Sequence, residues 1–171
     1  MFNIGDIVFY ENIGVCKITN ITTLDFALGN KDKKYYVMEA MYKNGVNYVP
    51  VDSDKDFIRN IITKAEAEEL IDTIPDLDIE VYQNMATKDM VAKYEELLTS
   101  DDYKDLLMLC MSIYAKKQLL LDQKKKFGAI DDYFIKRAED MLFEELAAAL
   151  EVEKGEIPNF IEERVGYKIE N

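Results

Sequence analysis

Apolar positions follow two different periods along the chain. Up to about residue 60 they come in short runs rich in Val, Ile, Thr and Tyr: DIVFY (6–10), VCKITNITTL (15–24), YYVMEAM (35–41) and VNYVPV (46–51). Turn-forming stretches separate them, at Asn12-Ile13-Gly14, Leu28-Gly29-Asn30-Lys31 and Asn44-Gly45. β-branched and aromatic residues suit a pleated, half-buried surface, and Gly and Asn punctuate strands. Four or five short strands with tight turns predict a small, strongly bent sheet or barrel. From Thr63 the period becomes helical. TKAEAEELIDTI opens with a capping box, Thr63 with Glu66 three positions on, and stops before Pro75. A second helix is predicted over 79–98, and a third capped by Ser100, with Tyr103, Leu106, Cys110, Ile113, Tyr114 and Leu120 at helical spacing. Gly128 breaks that pattern. Asp131 starts a fourth helix, with Phe134, Ala138, Met141, Leu142, Leu146 and Ala149 on one face, and a short segment follows Pro158. The expected fold class is α+β: a β module over 1–60, then an all-helical bundle over 61–171, with no long linker between them.

Composition narrows the function more than the fold. Hydrophobic residues make up 49% of 171 and charged residues 32%, enough for a packed core. No apolar run approaches the ~20 residues of a membrane span. No secretory signal is visible, and both cysteines, Cys16 and Cys110, lie in apolar stretches, so a cytoplasmic protein with reduced thiols is expected. The chain has no histidine, which removes the commonest general base and most zinc sites. Net charge is −13, and it is uneven. Residues 1–60 carry 7 Lys/Arg against 8 Asp/Glu; residues 61–171 carry 14 against 26. A field of that sign repels nucleic acid.

Little candidate chemistry survives. Asp52, Asp54 and Asp56 imitate the start of a calcium loop, but its glycine and closing glutamate positions hold Phe57 and Thr63. No phosphate-cradling glycine motif is present. Asp101-Asp102 and Asp131-Asp132 fall at helix starts, where they complement the helix dipole. No acid/base or nucleophile constellation remains, so the chain is expected to be no enzyme and to take no metal, cofactor or small-molecule substrate. One stretch inverts the local sign, with Lys116, Lys117, Lys124, Lys125, Lys126, Lys136 and Arg137. It fits either a solvated turn or a binding patch.

The segment MYKNGVNYVPVD (41–52) is the sharpest feature. A two-residue Asn44-Gly45 turn of type I′ predicts Lys43 opposite Val46, Met41 opposite Tyr48 and Glu39 opposite Pro50. Alternation then puts Tyr36, Met38, Ala40, Tyr42, Val49 and Val51 on one face. Val37, Glu39, Met41, Lys43, Val46, Tyr48 and Pro50 share the other. The first face reads as core. The second, apolar and charged together, fits a recognition surface or an ordinary solvated edge. Pro50 lacks an N–H, so the strand ends there or lies at an edge open to strand addition.

FNIGDIVFYENIGVCKI, YYVMEAMYKNGVNYVPVD and IRNIITKAEAEEL resemble the CarD/CdnL-type bacterial transcription regulators. The β module also resembles the RNA-polymerase-interacting domain of transcription-repair coupling factors. YEELLTSDDYKDLLMLCMSIYAKK and IKRAEDMLFEELAAAL resemble the helical domain of the same regulators. The resemblance implies a Tudor-like β barrel that binds the polymerase β subunit, and a helical domain that approaches promoter DNA and shifts open-complex stability. Family arginines on the polymerase-facing surface fall on Leu24 and Tyr48 here; with Met41 from the outer hairpin face and Pro50 from the strand edge, the expected polymerase-binding residues are Leu24, Met41, Tyr48 and Pro50. The family's tryptophan wedge is missing, and its following basic run is reduced to Lys88 and Lys93 around Asp89. Weak DNA contact is therefore expected, confined to Lys88, Lys116, Lys117, Lys124, Lys125, Lys126, Lys136 and Arg137. The alternative is a protein–protein adaptor whose acidic helical domain binds a basic protein partner rather than DNA.

Overall fold

The computed structural model describes all residues except 12, 25–31, 55, 56 and 171. The chain divides into two compact units, Met1–Ile62 and Thr63–Asn171. In the first, β1 (Ile7–Tyr10), β2 (Gly14–Thr23), β3 (Lys34–Ala40), β4 (Val46–Pro50) and β5 (Ile58–Asn60) form one antiparallel sheet in the order β4-β3-β2-β1-β5. Asn12 of the first predicted turn, the turn Leu28-Gly29-Asn30-Lys31 and Asp56 lie outside the described residues.

One face of the sheet carries the core of this unit. Val8, Cys16, Ile18, Tyr36, Met38 and Val49 are buried together. Phe9 and Val15 on the opposite face are buried as well, with the Arg59 guanidinium 4.4 Å from the centre of the Phe9 ring. A bulge between Ile18 and Asn20 bends β2, the longest strand. The sheet is nevertheless not closed into a barrel, against the expectation from the resemblance. Closure would require the end strands β4 and β5 to pair. β5 offers only three residues, and β4 ends in a proline without an N–H.

The second unit contains α1 (Lys64–Asp72), α2 (Thr87–Leu98), α3 (Tyr103–Asp122), α4 (Ala129–Leu150) and α5 (Ile157–Val165), with 3-10 turns at Ile74–Asp76 and Lys154–Glu156. The capping box of α1 forms as expected: Thr63 Oγ accepts from Glu66 N–H at 3.2 Å, and the Glu66 carboxylate accepts from Thr63 N–H at 2.7 Å. Pro158 stands in the first turn of α5, where its missing N–H costs nothing. Other helix boundaries differ from the sequence expectation. α2 begins at Thr87 rather than at 79, because Asn84 takes a left-handed conformation (φ 56°) that a helix cannot contain. The cap of α3 is Asp102, accepting from Lys104 N–H at 2.8 Å. Ser100 instead accepts from the Asp102 N–H. α4 starts two residues before Asp131, with Gly128 at its N-cap.

The stripes predicted on α3 and α4 do build the core of the helical unit. Leu106, Cys110 and Ile113 from α3 and Phe134, Ala138, Leu142 and Leu146 from α4 are buried. Tyr94 of α2 is fully buried, its ring edge-on to Phe134 at 5.1 Å. Ile157 and Ile161 of α5 and Ala67, Leu70 and Ile71 of α1 are buried too. Arg164 ties α5 to α1 with a two-pronged bond to Asp72 at 2.7 and 2.9 Å. That guanidinium holds the Asp72 carboxyl below its ordinary value.

Candidate functional site

β4 is an end strand, and its register differs from the one the Asn-Gly turn predicts. Tyr35 pairs with Pro50, Tyr36 with Val49, Val37 with Tyr48, Met38 with Asn47 and Glu39 with Val46. A type I′ turn needs positive φ at both central residues. Gly45 has it (φ 151°), but Asn44 does not. The connection is a longer loop, 41–45. Met41 N–H donates to the Val15 carbonyl at 3.0 Å, and Lys43 Nζ reaches the Ile13 carbonyl at 3.3 Å, so the loop folds toward the β1–β2 turn. The pairing is displaced by four residues. An even displacement leaves the residues within β3 and β4 on their predicted faces, and Tyr36, Met38 and Val49 are indeed buried.

The register also fixes which backbone groups face outward. Ala40 N–H donates to Gly45 O at 3.2 Å, and Val51 N–H to Lys34 O at 3.0 Å. Bonded and non-bonded pairs alternate in an antiparallel ladder. Val49 and Asn47 therefore bond inward to β3. Val46, Tyr48 and Pro50 turn their backbone polar groups to the outer side, where no strand pairs among the described residues. The side chains of Val46 and Tyr48 are 51% and 50% exposed. Three rows cross the outer face: Lys17–Glu39–Val46, Asn20–Val37–Tyr48 and Thr22–Tyr35–Pro50.

Against this geometry the four expected contact residues do not form one cluster. Tyr48 sits mid-edge and Pro50 two residues along the same strand. Leu24 follows the end of β2, at the Pro50 end of the sheet, half-buried. Met41 lies in the loop at the opposite end, 42% exposed, and is not opposite Tyr48. Val46 and Val37, flanking Tyr48 along and across the edge, are absent from the expected set. Val46 shares the strand and face of Tyr48 in either register, whereas Val37 is brought beside it only by the register that sets Val37 opposite Tyr48.

Residues 2–62 match the family model of the CarD-like/TRCF RID domain. The first unit is a CarD-like domain. No curated protein matches the chain. The match ends where the helical unit begins, so it bears on the CarD-like domain alone. It gives that domain a transcription-related role in contact with RNA polymerase. The edge just described belongs to the matched segment.

The basic residues of the helical unit divide sharply. Lys116 is 7% exposed and is not a surface cation, contrary to expectation. Its ammonium lies 3.0 Å from Asp131 Oδ1 and 3.0 Å from the Met90 sulfur, and Tyr94 OH donates to the same carboxylate oxygen at 2.7 Å. Burial and that bond push the Tyr94 phenol far up. Lys136 is paired with Asp132 at 2.6 Å, and Arg137 donates to Tyr133 OH at 2.9 Å beside that exposed ring. Lys117 is half-buried and donates to the Glu170 carbonyl at 3.5 Å. Lys88 and the run Lys124, Lys125 and Lys126 are exposed. Among the described residues no group of His, Cys, Asp or Glu could hold a metal ion, and no helix is long and apolar enough to cross a membrane.

Proposed function

We propose that the CarD-like domain docks on the β subunit of RNA polymerase by adding the outer edge of β4 to a strand of that subunit, and that the chain thereby modulates the stability of the promoter open complex. The observation that carries the reading is the outer edge at Val46 and Tyr48, with outward backbone groups and half-exposed side chains on the same two residues. Main-chain bonds would give the contact its affinity, and the Val46, Tyr48 and Val37 surface its selectivity. Leu24 and Met41 would lie at the two ends of that surface. The work is binding rather than catalysis, in the cytoplasm where polymerase acts.

Tyr48→Pro tests the edge directly. It removes one outward N–H and leaves the bonds to β3 in place. Pull-down with an isolated β-subunit lobe should then fall to background while the fold, followed by circular dichroism, is kept. Undiminished binding by Tyr48→Pro, and by Leu24→Asp with Tyr48→Asp together, would sink the proposed surface.

DNA contact on this reading is weak and falls to Lys88 and Lys124–Lys126, with Lys136 and Arg137 reaching DNA only by leaving their present partners. A forked promoter duplex should bind detectably at low salt, with a slope equivalent to about two to four released counterions. The burial of Lys116 in a unit with 26 acids and 14 bases favours a second reading, in which the helical unit binds a basic protein segment. No DNA binding at low salt would select it.

A further inference from the structure

α1 packs against α4 and α5, while α3 packs against α2 and α4. Two helices resting on a common third leave a cleft between them, and here it has a volume of about 420 Å³. Its apolar lining comes from Leu70 of α1, Leu77 after the 3-10 turn, and Leu107 and Met108 of α3, with the Tyr103 ring beside them. Leu70 and Leu107 are buried, whereas Leu77 and Met108 are half-exposed at the mouth. The volume falls in the range of specific ligand pockets, and a thioether at the mouth adapts to varied aliphatic shapes.

The rim is acidic. Glu66, Glu69 and Asp105 border the cleft, against one cation, Lys104. The Glu66 carboxylate is held in place by the Thr63 N–H and hydroxyl at 2.7 and 2.9 Å. Glu69 and Asp105 have no ion-pair partner among the described residues. Residues 66–78 contain six acids and no base. Of those six, Glu68 and Asp72 are occupied by Arg164.

We infer that this cleft is a docking groove for a basic amphipathic helix of a partner protein, taking aliphatic side chains one turn apart while flanking Lys or Arg residues meet Glu66, Glu69 and Asp105. The charge chooses the occupant. A second copy of this chain carries net −13 and would set like charges against the rim. Nucleic acid and anionic membranes are repelled for the same reason. A helix laid between two helices buries its apolar face in the groove and keeps its charges in water. The inference deepens the second reading above by naming the place and the chemistry of the contact. It is independent of the β4 edge.

The test uses the full chain, isotopically labelled, and a synthetic helical peptide with two leucines four positions apart flanked by lysines. Amide shifts should cluster at Leu70, Leu77, Leu107 and Met108 on titration, with saturation. A twin peptide with both leucines replaced by alanine should bind roughly tenfold weaker or worse. Glu69→Gln with Asp105→Asn should weaken the lysine peptide and flatten its salt dependence. Met108→Glu should abolish groove shifts, with melting curves confirming the fold. Equal binding by the alanine twin, or shifts scattered over the acidic surface, would overturn the groove while leaving a basic partner for the unit intact. No binding at low salt would overturn both.

Discussion

Lys116 and Asp131 are two charges that have left water. Their side chains are 8% and 6% exposed, and their ionic contact is completed by Tyr94 and Met90. Such a pair contributes little over an apolar substitute, yet removing one partner strands the other. Lys116→Met is expected to cost about 3–5 kcal/mol in urea unfolding. Lys116→Met with Asp131→Asn removes both charges, keeps an acceptor for Tyr94, and should recover part of that loss. The burial of Lys116 was partly legible. It stands three residues after Ile113 and seven after Leu109, on the apolar stripe of α3. The adjacent Lys117 disguised it as half of a surface pair. Asp131, fifteen residues on and on another helix, could be matched to it only by the packing of α3 on α4. Tyr48 is the opposite case: alternation alone put it outside, and it is outside.

Among the elements, the β3–β4 hairpin divides what pattern can and cannot say. Period two assigned each residue to a face. The partner across the ladder depended on the turn, and the turn depended on the φ of Asn44, which the Asn-Gly dipeptide does not determine. The start of α2 escaped for a related reason, since apolar spacing continues through 79–86 although the left-handed Asn84 stops the helix. Where a cap is chemically explicit, the boundary was readable. Thr63→Ala should cost about 1 kcal/mol by loss of the cap of α1, measured by thermal or urea unfolding. α3 and α4 are also joined by a bond from Tyr114 OH to the Glu139 carboxylate. Burial is the largest influence on Glu139 and raises its pKa, against the opposing bond from Tyr114; Asp140 adds to the rise, and Lys117 and Lys154 oppose it. A raised acid contributes stability fully present below its unfolded value of about 4.3 and lost as pH rises through the folded value. Glu139→Gln keeps an acceptor for Tyr114 and removes the titration. Melting temperature against pH should therefore decline less steeply for the variant than for the wild type over the weakly acidic range.

For the molecule as a whole, two hydrophobic periods, which cannot be confused over that length, mark a β module and then a helical region, changing near residue 60. The pattern leaves sheet or barrel open, and the barrel implied by the resemblance does not close. Closure depends on whether two distant strands meet, and neither the three-residue β5 nor the proline of β4 announces the answer by its apolar pattern. The charge imbalance was fully legible. What it encloses was not, since the cleft between α1 and α3 arises from helices that share a neighbour.

An open sheet has a consequence for self-assembly. A free strand edge invites another copy of itself, and a long one seeds fibres. Here the outward donors run only from Val46 to Tyr48, about 7 Å of strand, before Pro50 interrupts them. Two copies could therefore join by very few bonds and could not extend that contact beyond Pro50. Pro50→Val restores a donor at that position. Light scattering on the variant should show association that grows with concentration and time under conditions where the wild type stays dispersed. If both remain equally dispersed, the proline is not what keeps this edge from polymerising.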